Sequence, residues 1–164
     1  MRPLPYLVLA LAFILIGCAA QEVKRHHVET SIYEVPVAPD VSYEDVLLSL
    51  KSLSEGMNLV NPAHFPIGDH LKERGQAPEG ALEVHAYCSL GLGAEIMLDH
   101  PEFVVFAPCR IAVYQRKRQL YLGLARPTHD LRNIKNPTAR AQKAAQELED
   151  TLIDIVNKAS RGEF

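Results

Sequence analysis

Cysteine is scarce in this chain, with three residues among 164. Two of them, Cys88 and Cys109, are separated by twenty residues, a spacing that matches neither a zinc ribbon nor a thioredoxin motif. Positive charge is also in short supply. Seventeen Lys and Arg face twenty Asp and Glu, so the basic stripe of a nucleic-acid-binding protein is missing and no nucleic-acid partner is expected. Internal repeats and low-complexity tracts are absent. The seven histidines form no H-x-x-H or H-E-x-x-H set, so no metal ligand set is expected from spacing alone. Cys88-Ser89-Leu90-Gly91-Leu92-Gly93 lacks the lysine and glycine spacing of a phosphate loop. No serine sits in a nucleophile elbow. With no nucleophile, base and oxyanion donor to assemble, no catalytic set and no cofactor are expected.

The first residues carry an address. Met1-Arg2 is followed by an apolar run from Leu4 to Ile16, which is short for a membrane span of about 20 residues but fits a secretory leader. Leu15-Ile16-Gly17-Cys18 resembles the lipobox of bacterial lipoproteins. That resemblance implies cleavage before Cys18, lipidation of its thiol and amine, and firm attachment through several acyl chains. Ala19 in place of Asp favours the outer membrane, on its periplasmic face. Residues 1–17 are thus expected to be a signal peptide, 18–27 a lipidated tether, and 28–164 one folded domain. The membrane is the expected partner, reached through lipid. In such an oxidising compartment a disulfide can persist.

Periodicity outlines the domain. Val28 to Val37 alternates as a half-buried strand. Ser42 to Glu55 reads as a helix with a Ser42–Asp45 capping box and a left-handed C-cap at Gly56. Met57 to Val60 is a short strand broken at Asn61-Pro62, and Ile67 to Arg74 a second helix closed by Gly75. In the strand Leu82 to Cys88, the apolar set Leu82, Val84, Ala86 and Cys88 is expected to face inward, with Glu83, His85 and Tyr87 outward. Ser89 caps a helix running to Asp99. Phe103 to Ala107 reads as a fully covered strand, bent at Pro108. Cys109 to Tyr114 and Leu120 to Leu124 form a hairpin around Arg116-Lys117-Arg118. Residues 126–135 are expected to be loop. A last helix follows, with Asn136 as N-cap, Pro137 in the first position, and a stripe from Ala141 to Ala159. Glu147, Glu149 and Asp150 fall on its expected solvated side. The order implies an α+β fold, a single mixed sheet of four or five strands with helices packed on it.

The run Phe106-Ala107-Pro108-Cys109-Arg110-Ile111-Ala112-Val113-Tyr114 resembles the L-P-C-R-I-x-V-Y segment of the DUF302, or TT1751-like, domain family. The helix ending in Gly56-Met57 and the Cys88 strand leading into a helix fit the same family over about Val28 to Leu124. Members often carry Asn-Pro after the first cysteine, where this chain has Ser89-Leu90. The resemblance implies a compact α+β domain, often a homodimer, and no established activity.

Three accounts of Cys88 and Cys109 stay open. They form a disulfide closing a loop of about 20 residues, worth about 3 kcal/mol; they are separate buried thiols; or they are a redox or metal pair, since a thiol at a helix N-terminus can be activated. His85, Tyr87 and Arg110, with His129 from the following loop, are candidates for binding an anionic ligand if their face lines a groove. The same residues also read as surface or interface polar groups. The function that fits best is binding of a small ligand or partner by a lipid-anchored domain. The alternative is thiol-redox or metal handling by Cys88 and Cys109.

Overall fold

The computed structural model describes residues 30–164. The leader, the tether, Cys18 and the expected strand start at Val28 lie outside the described residues. Five strands, β1 (Ile32–Pro36), β2 (Val60–Phe65), β3 (Leu82–Cys88), β4 (Cys109–Arg116) and β5 (Gln119–Ala125), form one sheet in the order β1-β5-β4-β3-β2. Every neighbouring pair is antiparallel, so the sheet is not mixed as the sequence suggested. The helices are α1 (Tyr43–Gly56), α2 (Ile67–Glu73), α3 (Leu90–Met97), α4 (Pro127–Leu131) and α5 (Ala139–Ala159).

Local chemistry accounts for most boundaries. Ser42 and Asp45 form the capping box at the start of α1. Gly56 is the last helical residue rather than a left-handed cap. That conformation belongs to Asn58, at φ 55°. The β4–β5 hairpin turns through Lys117 and Arg118, both at positive φ, as a two-residue connection that follows the sheet twist requires. Pro62 does not end a strand. It lies within β2, where the register shifts between Val60 and Ala63, and β2 is an edge strand that tolerates a missing N–H.

Three expected elements differ. Phe103 to Ala107 is not a strand but part of a 3-10 helix, Pro101–Phe106, with Pro101 in its first turn. Phe103 is buried while Val104 and Val105 are exposed, a threefold pattern that a uniformly apolar run hides. The expected loop contains α4, opened by Pro127. Helix α5 starts two residues late. Asn136 takes positive φ and Thr138 is the cap, its hydroxyl accepting from the Ala141 N–H.

The face of β3 is inverted relative to the alternation argument. Register pairs Tyr87 with Cys109, His85 with Ile111 and Glu83 with Val113. Ile111, Val113, Leu122 and Leu124 are fully buried with Leu50, Leu152, Ile155 and Val156. Glu83, His85 and Tyr87 therefore point toward the helices. Leu82, Val84, Ala86 and Cys88 face the other way, and of these only Ala86 is fully buried. On that outer face Tyr114 lies over Gly123, where a Cβ would meet its ring at 3.2 Å. Tyr114 stacks on Tyr121 and donates to Glu34, and Arg116 pairs with Glu34 while lying 4.3 Å over the Tyr121 ring. These side chains shield the sheet without a helix.

Glu149 was expected in solvent and is buried instead. It sits within the stripe of α5, between Ala145 and Leu152 in helical spacing. Arg126 donates to it at 2.6 and 2.8 Å, and the Thr128 N–H at 3.0 Å. Burial alone would raise its pKa. The bonds from Thr128 and Arg126 outweigh that and hold the carboxyl below its ordinary value. Glu149→Ala, which strands Arg126, should lower stability in urea denaturation by about 3 kcal/mol. Because the folded pKa is depressed, this stabilisation is present above the unfolded value of about 4.3 and is lost as pH falls through the folded one. The stability gap between wild type and Glu149→Gln should accordingly narrow from pH 6 toward pH 3.

Candidate functional site

A second buried carboxylate, Glu83, lies where β3, the edge strand β2 and the first turn of α1 meet. Glu83 and His85 are two apart on β3, so they share a face. The register of β2 past its bulge sets His64 opposite His85. The two imidazoles stack with centroids 4.5 Å apart. Both turn Nε2 toward the carboxylate: His64 Nε2 lies 2.8 Å from Oε2, and His85 Nε2 lies 3.0 Å from Oε1. Tyr43, first residue of α1, donates its hydroxyl to Oε1 at 3.0 Å. Every donor here is a side chain.

The electrostatics follow. Burial pushes the Glu83 pKa up, but bonds from His85, His64 and Tyr43 more than reverse it, and the group is held below the usual carboxylate range. Tyr43 is pushed up to about 12, first by burial and then by the anion it bonds, so it stays a neutral donor. His64 is about half exposed, whereas His85 and Glu83 are largely covered.

Grooves flank this cluster. One, of about 540 Å³, is lined by Tyr43, Glu83, Lys72, Gln115 and Arg118. Gly80 forms part of its wall at φ 80°, and the Gln115 amide occupies the place a Cβ would take, so glycine is required there. The other groove, of about 570 Å³, is lined by His85 and Tyr87 with Leu47, Lys51 and Asn61.

The expected ligand set does not assemble in one place. His85 and Tyr87 share the helix-facing side. Arg110 pairs across from Ala86, projects from the opposite face and lies 3.8 Å from Asp130. His129 belongs to α4, and its Nδ1 is buried with no hydrogen-bond partner among the described residues. The sequence argument missed Glu83, His64 and Tyr43. The one available signal was a charged residue alternating with histidine in an otherwise apolar strand.

Cys88 and Cys109 are both free thiols. They adjoin a small apolar cavity of about 30 Å³ with Met97, Phe103 and Phe106, too small for an organic ligand. Cys109 is pushed up to about 12, chiefly by burial and further by Cys88 and Asp130. A thiol so disposed is a poor nucleophile, unlike one activated at a helix N-terminus.

The sequence model of the family described as "Domain of unknown function DUF302" matches residues 33–159. Among solved structures, the chain is similar to an uncharacterised conserved DUF302 protein from Bacillus stearothermophilus. The TM-score is 0.72 and the identity 17%, over 79% of this chain and 98% of that one. At that identity the likeness shows the fold. No curated protein matches the chain.

Iodoacetamide at pH 8 should leave Cys109 unlabelled in the folded protein and label it in urea, as mapped by peptide mass spectrometry. Labelling at equal rates in both states would contradict its burial. Protection that persists in urea until reductant is added would reveal a disulfide instead.

Proposed function

The chain belongs to the DUF302 family, and on that premise we propose that it is a small-ligand-binding domain held by lipid at the periplasmic face of the outer membrane. The observation that carries the binding role is the buried Glu83, satisfied by side chains alone and set at the wall of a groove. Small-molecule sites combine a concave surface with a few convergent polar groups of perturbed pKa. Tyr43, Lys72, Gln115 and Arg118 supply further polar groups around Glu83. Lys72 is paired with Asp69 in the same groove, so Arg118 provides the positive charge for an anionic portion of the ligand, a role the sequence argument had given to Arg110. Within that set of four expected residues, His85 and Tyr87 remain binding candidates through the second groove. Burial raises the Cys109 pKa, which counts against that thiol as the attacking group in the redox alternative. Support for the address comes from Leu15-Ile16-Gly17-Cys18 and Ala19. No helix among the described residues is long and apolar enough to cross a membrane.

Cells fed an alkyne fatty acid should yield a labelled mature protein, and Cys18→Ser should abolish the label. An exported but unlabelled wild-type chain would remove the address. For the binding role, a fragment screen read by ¹H–¹⁵N NMR on the full chain should shift resonances clustered at Tyr43, Lys72, Gly80 and Gln115. Arg118→Glu should weaken anionic hits at least about tenfold, the loss of one charge-assisted bond. Shifts scattered over the surface, or hits indifferent to Arg118, would refute the groove.

A further inference from the structure

We propose that His64, Glu83 and His85 bind a divalent first-row transition-metal ion at the edge of the sheet. Two imidazoles and one carboxylate are a donor set used by zinc and by other borderline ions. The three contributed ligand atoms already lie within 4.8 Å of one another. Bonds of about 2.0–2.2 Å to a tetrahedral ion place neighbouring donors about 3.3 Å apart. His64 Nε2 lies 2.8 Å from Oε2, the oxygen left to the ion, so that pair widens by only a few tenths of an ångström, while the His85 nitrogen, 3.0 Å from Oε1, turns to share the same ion.

The local architecture supports the assignment. A buried carboxylate attracts a cation, and two imidazole nitrogens within hydrogen-bond distance of it are ready donors to the same ion. Both rings offer Nε2 to the same carboxylate, although His64 and His85 come from different strands. His85 is fixed by the sheet. His64, half exposed on an edge strand, provides the entry path and the freedom to turn its stacked ring toward the ion. Tyr43 bonds Oε1 and so orients the carboxylate while leaving Oε2 to the ion, the outer-sphere support that metal carboxylates normally have. Glu83 lines one of the flanking grooves and His85 the other, so both grooves border the three donors. Such a site holds a metal ion that can take a further ligand, and it deepens the binding role proposed above.

The test is calorimetric titration of Zn²⁺ into the full chain carrying His26→Ala and His27→Ala, which removes the competing histidine pair of the N-terminal segment. One ion per chain should bind. His64→Ala and His85→Ala should each weaken binding at least about tenfold, and Tyr43→Phe about tenfold, as outer-sphere changes typically do. His64→Gln, which keeps a donor for Glu83, should lose affinity like His64→Ala while retaining the wild-type circular dichroism spectrum, which separates loss of a ligand from loss of folding. Co²⁺ substitution should give visible bands of a tetrahedral nitrogen–oxygen site without thiolate charge-transfer absorption. Cys88→Ser with Cys109→Ser should leave affinity unaltered. Zinc binding that survives loss of both His64 and His85, absent binding, or a thiolate signature would overturn the assignment. Organic fragments that fill the groove while zinc fails to bind would sink the metal alone. Zinc bound as expected with an inert groove would sink the organic-ligand reading alone.

Discussion

A carboxylate taken out of water must be met by donors or pulled back to the surface, and two glutamates impose that condition on the layer between sheet and helices. Glu83 draws α1 through Tyr43 and the edge strand β2 through His64 onto β3. Glu149 draws the end of β5 and the start of α4 onto α5 through Arg126 and Thr128. Breaking such a cluster strands charge where water cannot reach it, so each glutamate specifies how its neighbours dock more than it adds net stability. The apolar core between them, built on Leu50, Ile111, Leu122 and Leu152, supplies the drive to collapse but little direction.

Direction at the far end of the layer comes from polar ties of a different kind. The buried His100 accepts the Thr138 N–H at 2.9 Å, and Thr138 also bonds Asp99 at 2.6 Å while capping α5. The end of α3 and the start of α5 are thereby joined over the smaller cluster of Ile96, Phe103, Leu131 and Ala145. Tyr33 reaches from β1 to Asn157 on α5 at 2.8 Å. The long helix is thus held at both ends and in its middle.

The hairpin, the capping box and the stripe of α5 could be read from the residues because each depends on spacing within a few turns or pleats. The α+β class followed from their order. The choice of inner face on β3 could not. Alternation shows that Glu83, His85 and Tyr87 share a side, but hydropathy then assigns that side to water. What reverses the assignment is the partner strand: Ile111 and Val113 are inward, and register carries His85 and Glu83 with them. The site was hidden for the same reason. Its members look polar and exposed one at a time, and only the pairing of β2 with β3 brings His64 against the other two. The run Phe103 to Ala107 failed differently, since uniform hydrophobicity carries no period and Pro101 decided the outcome.

Both outer strands of the sheet contain a proline, Pro36 in β1 and Pro62 in β2. Each removes an amide from the rim, and the register break beside Pro62 bends the second rim as well. A neighbouring molecule that tried to zip on as a sixth strand would find the ladder interrupted on either side. Strand-by-strand growth into ribbons is therefore disfavoured at both rims, and one of these interruptions borders His64.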